Sequence, residues 1–237
     1  MADIVTFTYT MYVEYIRHPS CQALCSDAMN DAQPTKSRRE EYAEATRAAL
    51  LATAREIFVR EGYQDTGIEA VARATRVTRG AFYHHFEDKR ALFEALVIAL
   101  QEDAATAIQA RALAARRPAD RLMAGIEAFL DACTDPAYRR LVIEEAPAVL
   151  GGARCREIGE RYPFGLLIGA FAELKKAGRL AVDDDYLAAR MIGNMVCEAS
   201  MLLGDAEKPA ATKAQALAIL ERVMQACLVG KATAGRG

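Results

Sequence analysis

No uncharged apolar stretch in this sequence approaches the roughly 18 residues that a membrane-spanning helix needs. The apolar run at residues 162–172 ends at Glu173. The first residues include Asp3 and no early lysine or arginine, so they lack the basic region that begins a secretory signal. These absences argue against a membrane protein, and we expect a cytoplasmic location.

Cysteine is sparse and scattered. The six cysteines do not form the dense framework of a small disulfide-rich domain. His18, Cys21 and Cys25 could be imagined as metal ligands, but they lack a clear fourth ligand and a paired CxxC spacing. We therefore expect free thiols or small core side chains, and no bound metal.

The sequence also lacks a large excess of either charge. It contains 30 basic and 32 acidic residues, which give a net charge of −2. The overall balance does not point to nucleic-acid binding. Between residues 73 and 90, however, five basic side chains face only Glu87 and Asp88. Such a local basic patch weakly indicates a nucleic-acid partner, although an ordinary solvated face gives the same pattern.

The sequence signatures of common catalytic sites are missing. We find no Walker loop, dinucleotide-binding glycine fingerprint, nucleophile elbow or HExxH zinc motif. Ser200 has no evident histidine partner. An α-helical enzyme and a protein-interaction module that uses a basic helix remain alternatives, but we expect no enzymatic activity and no cofactor.

From Arg38 onward helix formers dominate, and apolar residues recur at three- and four-residue spacing. The preceding residues differ, with alternating threonine, tyrosine and apolar side chains at 4–13. We interpret residues 1–37 as a flexible extension, and Met29 could equally be the start of translation. The remainder predicts an all-α fold. Helices are expected at about 39–61, from the residues after Thr66 to a break near Arg76, and at 78–86, 89–115, 118–133, 136–149, 154–177, 184–203 and 210–229.

Capping signals mark the short helices. The stretch 66–69, Thr-Gly-Ile-Glu, fits a capping box in which Thr66 accepts a hydrogen bond and Glu69 reaches back. Thr78 and Asp88 are expected to cap the next two helices. Two short helices joined by a tight turn, and preceded by a third helix, suggest a helix-turn-helix.

The stretch TGIEAVARATRVTRGAFYHHFEDKRALF, from Thr66 to Phe93, resembles the DNA-binding segment of TetR-family transcriptional regulators. The preceding LLATAREIFVREGY resembles the first helix of that family. The family usually places glycine in the turn between the two short helices, where this chain has Arg76. A non-glycine residue at positive φ costs on the order of 1 kcal/mol, so we expect a slightly altered turn.

The second short helix also makes physical sense as a DNA-reading element, with Val77, Phe82 and Phe86 facing inward. An arginine near its N-terminus can bond both acceptors of guanine, and a lysine at the start of the next helix suits a phosphate. Residues 79, 80, 83 and 84 are expected to face outward. The resemblance adds family positions that commonly contact DNA, and the predicted set is Thr78, Arg79, Gly80, Tyr83, His84, His85 and Lys89.

These assignments have alternatives. Tyr83 could form only the edge of the core. His84 and His85 could be metal ligands or a proton relay, but adjacent helical positions diverge by about 100°. No acidic or cysteine partner has suitable spacing to complete such a site.

The resemblance further implies that the last two helices form a four-helix interface with a second subunit. A two-fold dimer would match two half-sites of a palindrome. The apolar stripes that could form this interface comprise Leu187, Met191, Met195, Ala199, Leu202, Leu217, Leu220, Met224 and Cys227. Packing within one chain would produce the same stripes.

By the same resemblance, the middle helices would enclose a pocket for a small apolar or aromatic effector. Glu144 and Glu145 are acids within an apolar segment, where one could meet a polar ligand group, but exposure on the surface is the favoured explanation. The candidate pocket residues, which could also be plain core, are Met123, Phe129, Cys133, Tyr138, Phe164, Phe171, Met191 and Met195.

Together these interpretations predict an extension at 1–37, a three-helix DNA-binding domain at 38–95, and a helical effector-binding and dimerisation domain at 96–237. The expected function is that of a homodimeric regulator binding a palindromic operator in double-stranded DNA. We expect a repressor that a small-molecule effector releases from the operator.

Overall fold

The computed structural model describes residues 37–116 and 120–229, and these residues are helical apart from their connections and one isolated β-bridge. The all-α prediction is confirmed. The predicted extension up to residue 36, with the His18, Cys21 and Cys25 group, lies outside the described residues. The helices are α1 (Arg38–Glu61), α2 (Ile68–Thr75), α3 (Arg79–His85), α4 (Lys89–Ala114), α5 (Arg121–Cys133), a π-helical segment (Tyr138–Glu145), α6 (Ala146–Leu150), α7 (Gly152–Arg161), α8 (Pro163–Lys176), α9 (Asp185–Gly204) and α10 (Pro209–Cys227).

A capping box occurs at a place that the sequence patterns had not indicated. The Ser37 amide donates to the Glu40 carboxylate at 2.8 Å, and the Glu40 amide donates to the Ser37 hydroxyl at 3.3 Å. The box predicted at residues 66–69 is wrong, because the buried Thr66 hydroxyl instead donates to the Gly62 carbonyl at 2.7 Å. Gly67 is the N-cap of α2, without a side-chain cap.

Two predicted helices are built differently. The expected helix at 154–177 is two helices, because Pro163 has no amide hydrogen and Tyr162 before it adopts φ −116° and ψ −110°. The expected helix at 136–149 begins as a π-helical segment, in which the Ala146 amide bonds the Leu141 carbonyl five residues back. π-Helices are rare and often mark functional sites.

Two apolar clusters lie within residues 50–228. The first joins α1 through α4 to the π-helical segment and includes the buried rings of Phe58, Phe82 and Phe93. The second joins α5, α8, α9 and α10 around Phe171 and Leu220. Beyond α10, the chain pairs with the α8–α9 connection in an isolated bridge. Within the described residues, we find no helix with the length and apolarity needed to span a membrane.

Candidate nucleic-acid interface

The turn between α2 and α3 contains the expected departure. Arg76 adopts φ 60° and ψ 35°, the left-handed region that usually favours glycine. Its amide donates to the Arg73 carbonyl at 3.1 Å, and the next amide, of Val77, reaches Ala72 at 2.9 Å. These two hydrogen bonds close α2 and direct the chain into α3.

α3 is short, and its position depends on caps and on buried rings. The Thr78 hydroxyl accepts from the Ala81 amide at 3.1 Å, which confirms the predicted cap. Phe82 and Phe86 are buried, and the guanidinium of Arg47 lies 4.4 Å from the Phe86 ring centroid. With one face fixed in this way, the other face of α3 points to solvent.

Arg79 and Tyr83 lie side by side on that outer face. The Arg79 side chain is 65% exposed and Tyr83 is 43% exposed. Arg79 donates to the Tyr83 hydroxyl at 3.4 Å, and this hydrogen bond raises the pKa of the guanidinium. An ion pair of 2.9 Å with Glu69 holds Arg79 from the other side. Gly80 and His84 are also exposed, as expected.

Lys89 is more constrained than the sequence suggested. Its ammonium donates to the carbonyls of Tyr63 at 2.9 Å and Gln64 at 3.2 Å, and lies 4.4 Å from the Tyr63 ring centroid. Two of its three N–H groups are therefore occupied within the chain. The predicted cap of α4 is confirmed, since Asp88 accepts from the Ala91 amide at 2.6 Å.

The two histidines differ in their environment. His84 is exposed, whereas His85 is half-buried, and their rings lie 5.3 Å apart. Burial, with smaller contributions from His84 and Arg47, lowers the pKa of His85. Across the described ranges, no group of three or more His, Cys, Asp or Glu side chains is arranged to hold a metal ion.

The predicted pocket residues divide by burial. Cys133, Tyr138 and Phe171 are buried, and Met191 is 62% exposed on the outer face of α9. Met191 is therefore misplaced as a pocket residue, because its side of the helix faces away from the core. The half-buried members are Met123, Phe129, Phe164 and Met195.

A buried polar contact lies among these side chains. The Tyr138 hydroxyl donates to the Gln101 side-chain carbonyl at 2.8 Å, and burial raises the pKa of Tyr138 well above its usual value. Burial also raises the pKa of the nearby Cys133 thiol to about 12. Sequence reasoning missed Gln101, although a glutamine on the apolar side of a helix was a visible signal.

The outer faces of α9 and α10 also differ from expectation. Leu220 and Met224 are buried in the second apolar cluster, so packing within the chain accounts for both. The predicted stripe residue Ala199 is buried as well. Large apolar side chains nevertheless remain exposed along these two helices, at Tyr186, Leu187, Met191, Met201, Leu202 and Ile219.

Glu145, considered above as a ligand-facing acid, instead contacts the connection between α1 and α2. Its carboxylate accepts from the Tyr63 amide at 2.9 Å and from Arg140 at 3.1 Å. Arg140 in turn donates to the Val59 carbonyl at 2.6 Å, in the last turn of α1. These contacts join the π-helical segment to the connection that leads into α2.

Family models match both parts of the chain. The model of the bacterial regulatory proteins of the tetR family matches residues 50–96. A tetracyclin repressor-like C-terminal domain matches residues 119–227. Both describe regulators and not enzymes, which confirms the prediction that the chain is not an enzyme.

Curated relatives match short stretches of the chain. TetC of transposon Tn10 from Escherichia coli is 40% identical over 60 residues, which are 25% of this chain and 30% of that protein. The repressor AcnR of Corynebacterium glutamicum is 40% identical over 73 residues, 31% of this chain and 32% of its own. The chain thus spans about a third of the length of these relatives.

Solved structures align over most of the chain. RolR, in complex with resorcinol, has a TM-score of 0.58 at 18% identity over 79% of this chain and 95% of its own, which shows a shared fold alone. A TetR-family regulator from Pectobacterium atrosepticum is 32% identical, covers 82% of this chain and 99% of its own, and superposes with a TM-score of 0.67. With that identity extending over nearly the whole of a solved relative, the chain belongs to the TetR family of transcriptional regulators.

Proposed function

We propose that this chain is a homodimeric, sequence-specific DNA-binding repressor whose operator affinity is lowered by a small molecule. The observation that carries the proposal is the outer face of α3, where Arg79 and Tyr83 are exposed while Phe82 and Phe86 fix the opposite face. A short helix with one rigid and one exposed polar face suits insertion into the major groove.

We assign the reading of bases to Arg79. Contacts with the sugar-phosphate backbone of the DNA are assigned to Thr78, Tyr83, His84 and His85. The Arg79 ion pair with Glu69 is surface-exposed, so it costs little to exchange for guanine acceptors. Gly80 leaves room for the duplex beside them. Lys89 is assigned a supporting role, in which its remaining N–H faces a phosphate.

Dimerisation is assigned to the exposed face of α9 and α10. Residues 187, 191 and 202 recur at helical spacing, and together with Ile219 they leave large apolar side chains in solvent. An extended exposed apolar face is typical of an interface. A two-fold pair through this face would present two copies of α3 to a palindrome.

The effector is assigned to the interior between α4, α5, the π-helical segment and α9. There the hydrogen-bonded pair Tyr138 and Gln101 lies beside the ring of Phe129, whose centroid is 6.2 Å from that of Tyr138. A mostly apolar environment with one polar pair suits an aromatic molecule with a polar group. Resorcinol, which the RolR structure contains, is a suitable first probe.

Selection of duplexes from a random library, followed by gel-shift titration, tests the proposal. We expect a palindromic consensus that binds wild-type protein, and a loss of preference for it in Arg79→Ala. Arg156→Ala, which removes an exposed arginine from α7, is the matched control and should bind as wild type. Failure to enrich any duplex would overturn the proposal.

A further inference from the structure

The π-helical segment Tyr138–Glu145 contacts two helices, and the residue directly after a third, through side-chain hydrogen bonds. Tyr138 donates to Gln101 of α4 at 2.8 Å. Arg139 donates to Asp205, directly after α9, at 2.9 Å. Arg140 reaches the last turn of α1. The segment therefore lies between the helices assigned to the effector and dimer interface and those assigned to DNA.

Arg140 and Glu145, which we call the clamp, hold the end of α1 and the connection after it. Arg140 donates a hydrogen bond to the Val59 carbonyl, and Glu145 accepts one from the Tyr63 amide. The two clamp residues also form an ion pair with each other at 3.1 Å. Gly62 lies between these contacts, with φ +87°. A Cβ there would lie 2.9 Å from the guanidinium and 3.1 Å from the carboxylate. The clamp thus fits closely around a glycine.

The same connection is tied to the start of α4. The Tyr63 carbonyl accepts from Lys89, the first residue of α4, and the Tyr63 ring packs edge-on against Phe93 at 5.0 Å. α4 follows α3 after three residues. Tyr63 therefore connects the clamp to the helix that follows the recognition helix.

The clamp depends on the π-helical register. Two ion pairs within the segment, Arg139 with Glu144 and Arg140 with Glu145, join residues five positions apart. Positions five apart in an α-helix point about 140° away from each other, whereas positions three or four apart are neighbours. Conversion of the segment to α-helix would break both pairs together and open the clamp.

We propose that a change of register in the segment Tyr138–Glu145, between π-helix and α-helix, couples the C-terminal helices to the DNA-binding helices. In the π register the clamp is closed and the connection at Tyr63 is fixed. In the α register it is released. A ligand shifts this equilibrium to the extent that it favours one register. The inference rests on the proposed function, since it requires that DNA binding and effector binding be linked.

Hydrogen exchange with and without the selected operator duplex tests the coupling without any effector, because linkage is reciprocal. In the wild type, operator binding should slow exchange of the amides at 141–146 by about fivefold or more. Glu145→Ala, which opens the clamp, should still bind the operator but abolish this change. Glu173→Ala is the matched control, because it removes an acid of α8 that pairs with Lys176 of the same helix and lies outside the π-helical segment, and it should keep the change in exchange.

Arg140→Ala opens the other half of the clamp and provides a second variant should Glu145→Ala fail to fold. An operator response that survives in either folded variant would overturn the inference. So would wild-type protein that binds the operator with unchanged exchange at 141–146, and the proposed function would then still stand. A wild type that selects no duplex would instead overturn the proposed function, and the inference with it.

Discussion

Replacing Arg76 by glycine should stabilise the fold. Arg76 has φ 60°, where a Cβ meets the following carbonyl at a cost of about 1–2 kcal/mol. Glycine removes that cost but loses about 0.5–1 kcal/mol through its greater freedom in the unfolded chain. Since the Arg76 side chain is exposed, its loss costs little. The net expectation is a gain of about 0–1.5 kcal/mol in the free energy of unfolding, with a midpoint of about 0.8 kcal/mol.

Urea denaturation of four variants measures this gain. Arg76→Ala removes the side chain but keeps the strained backbone, so Arg76→Gly should be more stable than Arg76→Ala. Arg73 is exposed within α2, where the backbone is helical, so there glycine should be less stable than alanine by about 1 kcal/mol. A glycine at 76 that is no more stable than alanine would refute the assignment of strain to this turn.

The remaining predictions concern the interface with DNA, the subunit interface and the interior. Arg79→Ala should relax base preference and cost about 1–3 kcal/mol of binding free energy on the operator, whereas Lys89→Ala should weaken binding to all duplexes alike. Equal losses on operator and random duplexes for Arg79→Ala would contradict its assignment to base readout. In sedimentation, Met191→Glu should give a folded monomer. Leu220→Glu, at a position that is only 2% exposed, should instead unfold the chain. A Met191→Glu variant that is folded and still dimeric would exclude the exposed face of α9 and α10 as the subunit interface. Tyr138→Phe should lower the free energy of unfolding by about 1–3 kcal/mol, because the buried Gln101 side chain loses its hydrogen-bond partner. Tyr162→Phe is the control and should have a smaller effect, because the Tyr162 hydroxyl bonds the exposed Glu102. Equal effects of the two substitutions would argue against a buried contact.

The features that the sequence predicted well are those that neighbouring residues determine. Thr78 and Asp88 cap α3 and α4 because each side chain needs only an amide three residues ahead. The departure at Arg76 was visible because the family that the sequence resembles usually has glycine at this position, where the backbone is left-handed. Thr66 shows the limit of such signals, since the Gly62 carbonyl, four residues back, competes for the same hydroxyl.

The features that were missed depend on contacts between distant parts of the chain. The apolar stripe of α10 predicts burial, but it does not say whether Leu220 packs within the chain or against a second copy. The Lys89 ammonium donates to the carbonyls of Tyr63 and Gln64, which lie 26 and 25 residues earlier in the sequence. The sequence position of Lys89 suits a phosphate contact, but it does not reveal these hydrogen bonds within the chain. Burial of an apolar face and pairing of a charge are both decided by tertiary packing, which periodicity alone does not contain.

The contacts of the clamp could not be predicted from the sequence, because they depend both on distant residues and on the π-helical backbone. Arg140 and Glu145 reach partners 81 and 82 residues earlier, which no local pattern could indicate. The acids at 144 and 145 looked like solvated or ligand-facing groups because residues five positions apart are not neighbours in an α-helix, so the observed pairs with Arg139 and Arg140 were not expected. In the π-helical register each acid meets an arginine, so the same backbone irregularity that escapes sequence analysis also creates the ion pairs. The coupling proposed above requires that this segment have a second arrangement, in the α-helical register, because an element that couples two sites needs two discrete states.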